Sequence, residues 1–290
     1  MAKKKAPATP KVETYFAHAS VKKATPAAIQ SAYNIEVRFL GGLTARQKNA
    51  FKKAADRWSK AIVGDLPSVT IDGDVIDDLL IEAQGVAIDG PGKILGQAGP
   101  THLRPAKAGA SAFLPAKGIM SFDTADLAQM QADGTLLDVI THEMGHVIGF
   151  GTIWEYKRVL VGAGTSNPTF KGVHARREFG VLKNTGPVNV PVENTGGPGT
   201  RDAHWRETVF RNELMSGFIA APGNPLSRMT VASLQDVGYR VDLSAAEPYE
   251  LPNLMALAEA GTLRPLQDVP HLHALPIFAP KVLPDDRLVP

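Results

Sequence analysis

The sequence predicts an α+β fold with a mixed sheet. Three observations carry that expectation. The run Tyr33-Asn34-Ile35-Glu36-Val37-Arg38-Phe39 alternates apolar and polar residues as a half-buried strand does. Thr44-Ala45-Arg46-Gln47 opens a helix with a capping box, after which Phe51, Ala54, Ala55, Trp58 and Ile62 recur at helical spacing and Gly64 ends it. Residues 135–149 carry a second amphipathic helix pattern, and short strand candidates fill the interval between the two helices.

In chain order, residues 1–31 hold six lysines with scattered Ala, Thr and Pro, and are expected to be a flexible basic arm. Val69-Thr70-Ile71, Leu79-Leu80-Ile81-Glu82-Ala83 and Ile119-Met120-Ser121-Phe122 are strand candidates. Residues 85–118 are rich in Gly and Pro and are read as strands and loops. Eight of the 22 prolines fall within 248–290, which predicts an extended tail broken by one short helical pattern around Leu254-Met255-Ala256-Leu257-Ala258.

Composition excludes several classes of function. The chain has 290 residues, 31 Lys and Arg against 29 Asp and Glu, and no cysteine. Near-neutral charge without a basic stripe argues against a nucleic-acid partner. No apolar run approaches the roughly 20 residues that span a bilayer. The start, MAKKKAPATPKVETYF, lacks an apolar h-region, so a cytoplasmic protein or one exported by a leaderless route is expected. Without cysteine, a metal site must use His, carboxylates or carbonyls.

The second helix reads Thr135-Leu136-Leu137-Asp138-Val139-Ile140-Thr141-His142-Glu143-Met144-Gly145-His146-Val147-Ile148-Gly149. Thr135 and Asp138 resemble a capping pair. Leu136, Leu137, Ile140, Met144 and Val147 cluster on one side; His142 and His146 lie opposite, one turn apart, on a polar stripe. Gly149 can take the left-handed conformation that stops a helix. Gly145 in mid-helix costs about 1 kcal/mol relative to Ala, which suggests close approach by another backbone. Two imidazoles one turn apart can hold one tetrahedral Zn²⁺. A carboxylate beside the first, Glu143, can act as general base and then acid on a zinc-activated water, which is the chemistry of peptide-bond hydrolysis.

A catalytic zinc needs a third protein ligand. The compact pattern His-Glu-x-x-His-x-x-Gly-x-x-His would place it at 152, which is Thr152. The ligand is therefore sought downstream, at His174 or at His204; His271 and His273, in the Pro-rich tail, are poorer candidates. His204 follows a glycine-rich turn and has Trp205 beside it. A Glu ligand from Glu193, Glu207 or Glu213 is the alternative; Glu207 and Glu213 flank Phe210 at helical spacing, the pattern of a solvated helix face.

The segment His142–Phe150 resembles the active-site helix of the leishmanolysin-like metallopeptidases, a metzincin group with a long insertion before the third histidine. Glu193–Trp205 is similar to that family's third-ligand segment, Glu213-Leu214-Met215-Ser216 to its Met-turn, and Asn224–Thr230 with Leu234–Tyr239 to its closing helix. The resemblance is close over 119–247 and loose over 35–118. It implies an N-terminal lobe (32–149) with a twisted mixed sheet and two long helices. A smaller, mostly irregular and helical C-terminal lobe (150–247) would face it, with a zinc cleft between them. It assigns His142, His146 and His204 as ligands of one Zn²⁺ per chain, Glu143 as general base and acid, and Met215 as the floor beneath the metal. It implies a protein or peptide substrate and a monomer. The absence of cysteine places the chain nearer bacterial, disulfide-free relatives and excludes a cysteine-switch latency, so activity without processing is expected.

Other readings stand beside these. Asp89-Gly90-Pro91-Gly92 resembles a calcium-holding turn of some matrix metalloproteinases, but a plain turn is the expectation. Trp154 and Trp205 are read as core or cleft-wall aromatics. A zinc-stabilised binding module without catalysis, or an amide hydrolase acting on something other than peptides, would share the same site.

Overall fold

The alternation after Tyr33 becomes β2 (Asn34–Gly41), which buries Ile35, Val37 and Phe39 on one face. The structure, a computed structural model, describes residues 12–19, 32–90, 92, 95–197, 199–219, 221–259, 274–276 and 279–289. Within the expected basic arm, residues Glu13–His18 form a strand, β1, antiparallel to β2. The lysine-rich composition hid this strand, whose Tyr15 hydroxyl donates to Asp56 at 2.7 Å.

The capping box forms as read. The Thr44 hydroxyl accepts the Gln47 amide, and Gln47 Oε1 accepts the Thr44 amide at 2.8 Å, which starts α1 (Ala45–Ala61). The helix ends at Ile62, which turns extended, and not at Gly64. Gly64 serves packing instead: a Cβ there would lie 2.5 Å from Arg240 Cβ. A hairpin follows, β3 (Val69–Ile71) with β4 (Asp74–Ile76), then β5 (Leu79–Val86), β6 (Gly96–Leu103) and β7 (Pro115–Asp123).

The strands β1, β2, β5, β7 and β6 lie in that order in one sheet. Strands β2, β5 and β7 run parallel, and β6 is antiparallel to β7, so the sheet is mixed as expected. Two helices cover one face: α1 and the later α3 (Leu136–Ile148). Phe51 of α1 meets Phe39 and Phe122 edge-to-face at 6.1 and 6.0 Å. Burying each such ring contributes about 1.5–3 kcal/mol. Gly118 of β7 lets α3 settle on the sheet, since a Cβ there would sit 2.4 Å from Val147 Cγ1. On the other face the β3–β4 hairpin packs Val69, Ile71 and Ile76 against Leu80 and Ala116.

Before α3 comes a helix that the hydrophobic pattern did not reveal, α2 (Thr124–Asp133), capped by the Asp123 side chain. After Gly149 regular structure thins out. The strands β8 (Leu160–Val161), β9 (Thr169–Phe170) and β10 (Val190–Pro191) are two residues each. Helices α4 (Val173–Leu182), α5 (Glu207–Phe210) and α6 (Arg228–Asp236) accompany them. Their core is aromatic: Trp205 meets Phe150 and Phe170 edge-to-face and Trp154 at a tilt, at 5.0–5.5 Å, so both tryptophans are core residues.

The Pro-rich tail packs over the body where it is described. A short helix, α7 (Leu254–Glu259), falls on the expected pattern. Strands β11 (Ala274–Pro276) and β12 (Lys281–Val282) both run parallel to β6 and extend the sheet beyond it.

Candidate metal centre

Helix α3 crosses the sheet with every residue but Leu137 buried. Its apolar side faces the sheet. The stripe with His142 and His146 faces the chain after Gly149, not solvent: His142, Glu143 and His146 are 4%, 5% and 7% exposed. The helix starts without a side-chain cap on Thr135. Asp138 is used elsewhere, accepting the Gly223 amide at 2.7 Å and lying 3.8 Å from Arg57. At the far end Gly149 adopts φ +117°, and its amide meets the carbonyls of Gly145 and His146.

Three imidazoles converge. The Nε2 atoms of His142, His146 and His204 lie 2.9–3.1 Å from one another. Each Nδ1 meets a backbone carbonyl: His142 the Leu214 oxygen at 2.7 Å, His146 the Phe150 oxygen at 2.9 Å, His204 the Thr200 oxygen at 2.9 Å. A carbonyl can only accept, so each Nδ1 carries the proton and each neutral ring turns an Nε2 lone pair inward. Three lone pairs at that distance repel; a cation among them removes the conflict. The spacing is close to the roughly 3.3 Å edge of a tetrahedron built on zinc–nitrogen bonds of about 2.0–2.1 Å. The donor set therefore fits a zinc ion, with each ring oriented by a second bond of the kind metal-ligating histidines make.

Each ring is positioned by a different device. His146 is fixed by its own helix exit. His204 comes from an irregular stretch, where its carbonyl accepts the Glu193 amide at 2.9 Å and the Asp202 amide donates to the Glu193 carbonyl at 3.0 Å. Gly151 permits this stretch to approach: a Cβ there would lie 2.2 Å from the Ala203 carbonyl oxygen, and its φ is +75°. His142 is oriented by the turn Glu213-Leu214-Met215-Ser216. Met215 rests on the helix, and a Cβ on Gly145 would meet its Sδ at 2.8 Å and Trp58 Cζ2 at 2.9 Å. Gly145 thus admits two side chains, not the backbone that its place in the helix suggested. Trp58 also bonds α1 to α3, donating Nε1 to the Thr141 carbonyl at 2.8 Å.

The three glutamates weighed as alternative ligands are engaged elsewhere. Glu193 Oε1 accepts from Asn194, Thr195 and the Thr195 hydroxyl, and Oε2 accepts the Glu207 amide. Glu207 and Glu213 are 6% and 0% exposed, so they are not a solvated helix face. Burial pushes the Glu207 carboxyl up to about 7, opposed by hydrogen bonds from Ser216 and the Phe218 amide. Burial also raises Glu213, opposed by its bonds to Ser227, Thr230 and Met215. Helical spacing around Phe210 gave no hint of this, because α5 lasts a single turn.

His174 lies at the exposed start of α4, its amide bonded to Asp236 at 2.9 Å, and does not join the histidine group. His271 and His273 lie outside the described residues. At the Asp89 turn, Asp123 Oδ2 accepts the amides of Ile88, Asp89 and Gly90, and Asp126 Oδ1 accepts that of Gly92. The carboxylates there hold the turn to the start of α2. Among the described residues a second group able to hold a cation is Asp65, Asp77 and Asp78. The Asp78 oxygens in that group accept the Leu66 and Asn34 amides.

Two imidazoles on one buried helix turn, completed by a third 58 residues further on, define an all-histidine group able to hold a metal ion. The chain belongs to the leishmanolysin peptidase family, whose pattern matches residues 110–256 and so takes in all three histidines and Met215. It is 30% identical to leishmanolysin of Leishmania major over 151 residues, 46% of this chain and 23% of that protein. It is 28% identical to leishmanolysin of Leishmania donovani over 152 residues, 48% and 24%. A leishmanolysin homolog of Crithidia fasciculata is 26% identical over 145 residues, 46% and 21%. The matched part thus spans about a quarter of these relatives' length.

Proposed function

We propose that this chain is a zinc-dependent metalloendopeptidase that hydrolyses internal peptide bonds. The observation that carries the reading is the convergence of three Nε2 atoms whose Nδ1 protons are each held by a carbonyl. Family membership supports the choice of metal and reaction. His142, His146 and His204 would hold one zinc ion. When bound, zinc supplies Lewis acidity, lowering the pKa of a water toward about 7 and polarising the scissile carbonyl.

The remaining roles fall to side chains. Glu143 follows the first histidine on the buried helix. Its carboxylate takes the proton of the attacking water and later delivers one to the leaving amine. Met215 packs beneath the site against Gly145 and leaves the metal untouched, as the floor of a Met-turn. Residues 32–149 and 150–247 form the two lobes, with substrate between them. The low exposure of the histidines and Glu143 keeps bulk water from screening these charges.

The test compares wild type with Glu143→Ala for zinc content by elemental mass spectrometry and for cleavage of a denatured protein mixture. About one zinc per chain is expected in both, with cleavage in wild type alone. Hydrolysis retained by the variant would end the catalytic assignment. Zinc without cleavage of any peptide by wild type would leave a zinc-stabilised binding module or another amide hydrolase.

A further inference from the structure

Glu213 is fully buried, and both of its oxygens are committed. Oε2 accepts the Met215 amide at 2.6 Å. Oε1 accepts the Ser227 amide at 3.1 Å, the Ser227 hydroxyl at 2.6 Å and the Thr230 hydroxyl. It therefore ties the 213–216 turn to the first turn of α6, whose cap is Ser227.

Two short routes lead from this carboxylate to the imidazoles. Along the first, the turn it pins presents the Leu214 carbonyl to His142 Nδ1 at 2.7 Å. Along the second, the Thr230 hydroxyl accepts Trp205 Nε1 at 2.7 Å, and the Met215 carbonyl accepts the Trp205 amide at 3.0 Å. Trp205 is the residue after His204. One side chain thus governs the framework of the two imidazoles that α3 alone cannot bring together. His146 depends on neither route, being held by the Phe150 carbonyl.

We propose that Glu213 is a positioning residue of the metal centre: without touching the ion, it sets the orientation of His142 and His204 toward zinc. The inference rests on the zinc reading above. A carboxylate is required because both of its oxygens accept. A glutamine can offer one accepting oxygen and must turn N–H groups toward either the Met215 amide or the Ser227 and Thr230 donors. A substitution that keeps the shape therefore still breaks one side.

The experiment measures zinc affinity of the full-length protein by competition with a chromogenic chelator. It compares wild type, Glu213→Gln and Leu79→Ala, the last a buried residue at the start of β5, outside the hydrogen-bonded routes just described. Glu213→Gln should weaken zinc binding about 10- to 100-fold, the range for loss of an outer-shell partner. Leu79→Ala, even with an equal or larger loss in melting temperature, should stay within about threefold of wild type. If Glu213→Gln stays within threefold, or Leu79→Ala weakens zinc equally, the role is merely structural and the proposal fails. Should Glu213→Gln not fold, Thr230→Val and Thr230→Ser decide. Loss of affinity in the valine variant with retention in the serine variant supports the proposal, and equal affinities overturn it. Wild type that binds no zinc would instead overturn the zinc reading itself.

Discussion

The two halves of the site are built by different physics. On one side, α3 is part of a sheet-and-helix framework that satisfies its backbone groups internally. Its histidines inherit their positions from 3.6-residue periodicity and from the seat that Gly118 provides. On the other side, residues 192–227 have little repeating structure. Their backbone amides are met by buried carboxylates: Glu193 by two amides and a hydroxyl on one oxygen, Glu213 by the turn and by α6. Buried carboxylates there replace the hydrogen bonds that a ladder would supply, at the cost of desolvating them. The difference teaches that a metal joining both halves should matter unequally to each. The helix would persist without it, whereas the irregular stretch has less to fall back on.

Zinc removal gives the largest expected effect. A ligand that binds only the folded state stabilises it by about 4.1 kcal/mol at a free concentration a thousand times its Kd. Chelation should lower the melting temperature accordingly and, in native-state hydrogen exchange, should expose amides of 193–216 well before those of β5 and β7. Equal loss of protection in both halves would break the comparison. An unchanged melting temperature would contradict the link between folding and metal.

The same contrast explains what could be read from the sequence. The alternation of β2, the capping box at Thr44 and the periodicity of α3 are local signals, and each produced its element. The spacing of His142 and His146 also foretold that these two rings share a face. The partner from far along the chain carried no periodic signal; the glycine-rich turn before His204, Trp205 beside it and the resemblance of that stretch singled it out over His174. Spacing misled for Glu207 and Glu213, since i and i+6 around Phe210 look like a solvated face when the helix is a single turn. It also failed at Thr135, where Asp138 turned to Gly223 across 85 residues of sequence. Long-range side-chain to backbone bonds leave no local pattern. Composition misled at β1, where lysines before and after a six-residue strand concealed its pairing with β2.

Gly151→Ala should sharpen the comparison next. The added Cβ would lie 2.2 Å from the Ala203 oxygen, which is backbone and cannot rotate away, and φ +75° adds strain for any L side chain. The left-handed conformation and the overpacking together suggest roughly 2–4 kcal/mol of lost stability. The shift falls on the residue before His204, so zinc affinity should fall with it. Gly145→Ala offers the contrast from the helical side. Its Cβ meets the flexible end of Met215 and the ring edge of Trp58 instead of backbone, and the helix gains about 1 kcal/mol in propensity, so its net loss should be smaller. A larger loss for Gly145→Ala, by chemical denaturation, would show that the helix seat is the less forgiving of the two.

The pH dependence of the irregular half gives the smallest effect and the most diagnostic sign. Burial raises the Glu207 carboxyl from its ordinary value near 4.5 to about 7, and its Oε2 has no hydrogen-bond partner. Between those two values the unfolded chain has released the proton and the folded one retains it. The unfolded state then binds fewer protons, so stability must fall as pH rises from about 4.5 to about 7 and level off above. Glu207→Gln removes the titration, keeps an acceptor for Ser216 and the Phe218 amide, and gives the orphaned position an amide. At pH 8 the variant should be more stable than wild type by roughly 1–3 kcal/mol, and at pH 4.5 nearly equal. Urea titrations of both proteins at the two pH values measure this directly. A variant that is less stable at pH 8 would mean that the folded protein holds Glu207 ionised, with a favourable partner for the charge. The buried carboxylates of this half would then stabilise by charge as well as by accepting backbone amides.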